Sequence, residues 1–202
     1  KDGQVHMANL GIIGSHSVNG VAALHTQILK DDVMNDFYQL YSKKFNNKTN
    51  GITHRRWLLY SNPQLTSLLE STIGPDFKKA PERLEDLMAH VDNKELQDNF
   101  LAVKRQRKEI LAKYIKDTLD IEIDVNSIID VQAKRLHAYK RQLLNVMNII
   151  HLYFRMKDDA SFRIHPRTFI FAAKAAPSYV FAKEVIRLIH CVADKVNNDP
   201  EI

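Results

Sequence analysis

The hydrophobic pattern changes type after Ile121, and that change constrains the fold more than any other feature of the chain. Ile128, Ile129 and Val131 form a short β-branched run. Lys134-Arg135-Leu136-His137-Ala138-Tyr139-Lys140-Arg141 follows, with fixed cations, a histidine and a tyrosine packed into one octet. Leu143, Leu144, Met147, Ile150 and Phe154 then recur at helical spacing and predict a helix from about Tyr139 to Lys157. Thr168-Phe169-Ile170-Phe171 reads as a second strand, and the small-residue segment from Ala172 to Tyr179 as a turn. A last helix is expected from about Tyr179 to Val196. Strand, helix, strand and helix at these lengths predict a right-handed parallel βαβ unit.

The first half carries a different grammar. Leu10 to Gly14 reads as a short buried strand or extended entry segment, and Gly14 to Gly20 as a polar loop. Val21, Leu24, Ile28 and Leu29 mark one helix face, and Phe37, Leu40 and Tyr41 a second short helix. Asn46-Asn47-Lys48-Thr49-Asn50-Gly51 is a turn signal. Asn62-Pro63 supplies a cap and a first-turn proline, and Gly74-Pro75 a stop. From Pro81 to about Asp120 the pattern is helical, with Lys104, Arg105, Arg107 and Lys108 read as a solvated face. The expected class is α/β, mostly helical with the parallel βαβ unit in the C-terminal half. A domain boundary is placed between Asn50 and Asn62, so that residues 1–56 end one domain and 57–202 begin the next.

Composition excludes several classes. Hydrophobic residues at 45% and charged residues at 26% suit a globular chain of 202 residues. The formal charge of +5 is too small for the whole chain to argue for nucleic acid. Cys191 is the one cysteine, so no internal disulfide forms, which fits a reducing compartment such as the cytoplasm. No apolar run is long enough to span a bilayer, so no membrane partner is expected. The histidines lack metal-ligand spacing.

In an open parallel sheet the strand-to-helix junctions lie together at the carboxyl edge, where ligands bind. Both junctions here carry lysine: Lys134 and Lys140 at the first, Lys174 at the second. The residues alone leave two readings open. One is a phosphate site with Arg135 as a forked ligand and the lysines as point charges. The other is a set of solvated loop cations, since no glycine-rich cradle accompanies them. His137 is an acid/base group or a packed polar side chain. Tyr139 hydrogen-bonds a hydroxylated ligand or covers the core. Trp57, the single tryptophan, stacks on a flat ligand or anchors a domain junction.

Several long stretches resemble the α-glucan phosphorylases, the family of glycogen, starch and maltodextrin phosphorylases. They are Met7 to Leu10, Gly14 to Ala22, Asn47 to Leu58, Asp130 to Asn145, Lys174 to Pro177 and Val192 to Pro200. The resemblance implies a partial GT-B fold, in which two Rossmann-like domains face each other, and a chain that spans their junction. It implies phosphorolysis of terminal α-1,4-linked glucose to α-D-glucose 1-phosphate, with pyridoxal 5'-phosphate as cofactor and α-glucan and inorganic phosphate as substrates. A homodimeric parent with no nucleic-acid partner is expected. By motif, Lys134 and Trp57 belong to the cofactor, Arg135 and Lys140 to the substrate phosphate, and Asn50, Tyr139 and His137 to substrate binding.

The pattern departs from the family in places. His54 stands where the family has proline, Ala138 where it has glutamate, and Ser178 where it has glycine. Ala172 and Ala173 replace glycines before Lys174. The cofactor-linking lysine and its glycine-rich loop match nothing in this sequence. The chain by itself is therefore expected to be an inactive internal fragment, which an assay for glucose 1-phosphate release decides. Exposed strand edges predict self-association of such a piece. Two rival readings remain: a sugar-nucleotide GT-B glycosyltransferase, and a non-catalytic helical module whose Lys104–Lys108 face binds an acidic partner or RNA.

Overall fold

The computed structural model describes residues 3–202. The chain is a mostly helical α/β protein with two small parallel sheets. Its contacts divide it into two compact units, Lys1–His90 and Val91–Ile202.

In the first unit, Met7–Gly14 is a helix, α1, where an extended segment was expected. A short apolar run does not distinguish helix from strand by periodicity alone. Here Leu10 donates its N–H to the His6 carbonyl at 3.1 Å, and Ile12 is the residue that becomes buried. The strand β1 (Val18–Gly20) lies in the stretch read as a loop. It pairs in parallel with β2 (Phe45–Asn47), so Asn46 and Asn47 belong to a strand and the turn begins only at Lys48. Side chains explain this use of asparagine. Asn46 Nδ2 donates to Ser17 Oγ at 2.8 Å. The Thr26 hydroxyl lies 2.9 Å from the Ala22 carbonyl and 3.0 Å from Asn47 Oδ1.

Between these strands run α2 (Ala23–Ile28), extended by a π-helical turn at Leu29–Val33, and α3 (Asn35–Tyr41). The fourth helix, α4 (Pro63–Ile73), begins and ends as its punctuation predicts. Asn62 Oδ1 accepts the Leu65 N–H at 3.1 Å, and Gly74 terminates the helix at φ 78°. Leu69 and Phe77 are buried in this unit.

The second unit opens with α5 (Lys94–Leu119), capped by Asn93 through the Leu96 N–H. Its basic run is not simply a solvated face. Lys108 Nζ donates to the Ser127 carbonyl at 2.7 Å, and Arg105 bonds both Glu109 and Asn126. Two of the cations thus tie α5 to the turn that leads into β3 (Ile128–Ala133). That strand pairs in parallel with β4 (Arg167–Ala172) through six residues, from Ile128↔Arg167 to Ala133↔Ala172. Between them runs α6 (Gln142–Asp158), and after β4 comes α7 (Val180–Asn197), completing the expected βαβ unit and its following helix. Leu136, Ala182 and Val185 form the core cluster, flanked by Leu143, Ala175, Tyr179, Ile186 and Ile189.

Beyond α7, Asp199 accepts a hydrogen bond from the Tyr153 hydroxyl of α6 at 2.6 Å, and Lys157 pairs with Asp199 and Glu201. Tyr153, and then the Glu201 amide, hold the Asp199 carboxyl down to about 2. No helix among the described residues is long and apolar enough to cross a membrane.

Candidate functional site

The basic octet is positioned by the sheet and not by a helix. After β3 ends, its backbone still follows the segment leaving β4. Lys134 donates its N–H to the Ala172 carbonyl at 3.0 Å, and Leu136 donates to the Lys174 carbonyl at 3.1 Å. The two junctions therefore travel together, which brings Lys174 alongside the octet. Leu136 is 3% exposed and packs on Ala182 and Val185, while Arg135 and His137 on either side stay exposed. This is strand-like alternation carried past the end of the strand.

The chain then tightens into a 3₁₀ turn at Ala138–Lys140, where Lys140 donates its N–H to the His137 carbonyl at 3.0 Å. Arg141 sits at φ 61°, a left-handed conformation that a non-glycine residue rarely adopts. That residue stops helical geometry from running back into the octet, so α6 starts at Gln142 and not near Tyr139. The octet is a turn ahead of the helix, not its first turn. Gln142 is buried, and its Nε2 donates to the Arg135 carbonyl at 3.2 Å, fixing the backbone under the arginine.

Among the described residues, Lys134, Arg135, Lys140 and Lys174 have no carboxylate ion-pair partner. Cations gathered in one turn without counter-charge repel one another and favour an anion between them. Lys140 Nζ lies 5.7 Å from the Tyr139 ring centroid. His137 sits between two tyrosines, 4.7 Å from the Tyr139 ring and 5.1 Å from that of Tyr179. The Tyr179 hydroxyl oxygen accepts the Ala138 N–H at 3.2 Å. The sequence reading missed Tyr179 and Gln142. The available signal for the first was its place at the end of the small-residue turn, immediately before α7.

The structure thus brings Lys134, Arg135, His137, Tyr139, Lys140 and Lys174 to one edge of the longer sheet. Asn50 and Trp57 lie in the first unit. Asn50 is exposed just after β2 and donates its N–H to the Val21 carbonyl at 3.4 Å. Trp57 lies in a π-helical turn at Arg55–Tyr60 and is 73% exposed, so its ring is not a buried anchor within that unit. The described residues hold no cluster of histidine, cysteine or carboxylate side chains that would ligate a metal ion.

Fold and turn together define an α/β protein with a cationic carboxyl edge on its longer sheet. The family model described as "Carbohydrate phosphorylase" matches residues 1–202. Similar proteins include a glycogen phosphorylase of Bacillus subtilis, 52% identical over 99% of this chain and 25% of the relative. A maltodextrin phosphorylase of Streptococcus pneumoniae is 43% identical over 100% of the chain and 27% of the relative. The human glycogen phosphorylase, muscle form, is 44% identical over 98% of the chain and 24% of the relative. The chain belongs to the carbohydrate phosphorylase family. It spans about a quarter of the length of these curated relatives.

Proposed function

We propose that the full-length protein phosphorolyses terminal α-1,4-glucosyl units of an α-glucan, releasing α-D-glucose 1-phosphate, and that the octet of this chain holds the phosphates. Family membership supports the reaction class. The observation that carries this reading is the set of cations at paired junctions that have no carboxylate partner among the described residues.

In this reading Arg135 and Lys140 hold the substrate phosphate, and Tyr139, His137 and Asn50 hydrogen-bond the sugar. Lys134 holds the phosphate of pyridoxal 5'-phosphate, and Trp57 serves the same cofactor. The donor set fits a phosphate group, because lysine and arginine side chains without internal partners are the groups that bind one. When bound, the cofactor supplies a second phosphate that shares a proton with the substrate phosphate, suited to neutral pH by a second phosphate pKa of about 6. Two phosphates held close repel each other, and the work of this chain is to offset that repulsion with fixed positive charge.

In the same reading, residues 1–56 close the first GT-B domain and 57–202 begin the second. The parent is a cytoplasmic homodimer without nucleic-acid or membrane partners. The rival helical module loses its best argument, because Arg105 and Lys108 are engaged within the second unit.

The test is Arg135→Ala in the full-length protein, assayed for phosphate-dependent glucose 1-phosphate release. A loss of about 10²-fold or more is expected, the scale on which one preorganised charge-stabilising donor acts. An unchanged dependence on phosphate overturns the role given to Arg135.

A further inference from the structure

The attitude of the basic turn depends on a residue outside it. The octet has little packing of its own: Leu136 is its buried side chain, Tyr139 is 71% exposed, and its cations have no ion-pair partners among the described residues. Up to Leu136 the backbone is held by the ladder to Ala172 and Lys174. Beyond it, Tyr179 reaches the 3₁₀ turn from the segment before α7. The ring of Tyr179 rests on the core cluster of Leu136, Ala182 and Val185, so it is fixed from below. Its hydroxyl oxygen accepts the Ala138 N–H, and its ring closes a stack running through His137 to Tyr139.

We infer that Tyr179 is a positioning residue for the phosphate-binding turn, acting through the Ala138 amide and the His137 ring to set where Arg135, Tyr139 and Lys140 present their polar groups. The inference rests on the phosphate reading of the octet given above. Ala138 contributes no side-chain hydrogen bond or charge of its own, so the backbone bond to Tyr179 and the ring stack carry the placement. The left-handed backbone at Arg141 lies on the other side of the same turn. The 3₁₀ turn is therefore clamped between a hydroxyl on one side and a strained residue on the other, as expected where a loop must be pre-organised.

Tyr179→Phe keeps the ring and the stack and deletes only the acceptor. In the full-length protein its KM for inorganic phosphate should rise about three- to tenfold, the size of one neutral hydrogen bond, while kcat stays within about twofold. Tyr179→Ala, which also removes the stack, should raise that KM further. Protection of the Ala138 amide from hydrogen exchange should fall in both variants, a readout that needs no turnover. If Tyr179→Phe leaves both phosphate KM and Ala138 protection unchanged, the positioning role is wrong. It is equally wrong if the variant lowers kcat and thermal stability together at constant KM, the pattern of a purely structural residue. Arg135→Ala separates the two levels. Should it leave phosphate dependence intact, the phosphate reading fails. Should it abolish that dependence while Tyr179→Phe does nothing, this inference fails alone.

Discussion

The chain contains two pairs of parallel strands, and they are built from opposite materials. The pair β3–β4 runs six residues and is rich in isoleucine, valine, threonine and phenylalanine, with a buried cluster of Leu136, Ala182 and Val185 beside it. The pair β1–β2 runs three residues and is made of Val-Asn-Gly against Phe-Asn-Asn. Half-buried side chains, Ile129, Phe169, Ile170 and Phe171, line the first, while Ile128 and Val131 stay exposed. The second buries Phe45, 7% exposed, and adds side-chain hydrogen bonds: Asn46 to Ser17, Thr26 beside Asn47, and Lys44 Nζ to the Ile12 and Ile13 carbonyls. Both pairs end in a segment read as part of a ligand site, the octet in one and Asn50 in the other. A parallel pair can therefore present polar groups at its carboxyl edge by two different physical routes.

The largest expected effect tests the hydrophobic route. Leu136→Ala empties a site that is 3% exposed, directly beneath the octet. It should cost about 2–5 kcal/mol in the stability of the unit Val91–Ile202, read by hydrogen exchange of the β3 and β4 amides. A loss under about 1 kcal/mol would mean that burial of Leu136 does not hold this pair together, and the contrast with β1–β2 would collapse.

The same contrast explains which parts were legible beforehand. Strands β3 and β4 declared themselves because β-branched and aromatic runs fit a pleated, half-buried surface, which is what these strands present. The cap at Asn62 and the stop at Gly74 were equally readable, since each is a local requirement of backbone geometry. Strands β1 and β2 were hidden because asparagine and glycine carry turn chemistry in isolation. Only the distant partners Ser17 and Thr26 turn that chemistry to the service of a strand. The octet was legible as a cluster of cations at a strand-to-helix junction, but its shape was not. The start of α6 was displaced by Arg141, whose left-handed backbone leaves no mark in a helical pattern. Tyr179 was invisible as a support for the octet because its bond runs to a backbone amide 41 residues away in the chain.

A somewhat smaller effect tests the hydrogen-bonded route. At Gly20 a Cβ would fall 2.2 Å from Thr26 Oγ1 and 2.7 Å from the Thr26 backbone. The backbone cannot swing aside as a long side chain does, so β1 and the start of α2 must part. Gly20→Ala should cost about 1–3 kcal/mol locally, seen as lost protection of the Lys48 amide, whose bond runs to the Gly20 carbonyl. Unchanged protection would show that the close approach of Thr26 is not what joins these strands.

The smallest effect separates the regions by pH. In the second unit, Asp199 ties α6 to the segment after α7 through Tyr153 and Lys157, and its carboxyl titrates at about 2. The folded value lies below the ordinary 3.8, so the contribution is complete above the ordinary value and is lost as the pH falls from about 4 through 2. Tyr153 donates the strongest of these hydrogen bonds and is itself shifted upward, first because ionising it would give up the hydrogen bond to Asp199 and then by burial and by repulsion from that carboxylate. Acidification across this window should therefore loosen the end of α6 against the segment after α7. Asp199→Asn should flatten that dependence, since the amide carries no charge to neutralise. The side-chain hydrogen bonds given for β1–β2 come from Asn46, Thr26 and Lys44, and no carboxylate takes part in them. If exchange at the end of α6 is insensitive to pH between 4 and 2 in the unsubstituted protein, the Asp199 carboxylate is not an electrostatic tie. Both regions would then be held by forces indifferent to charge.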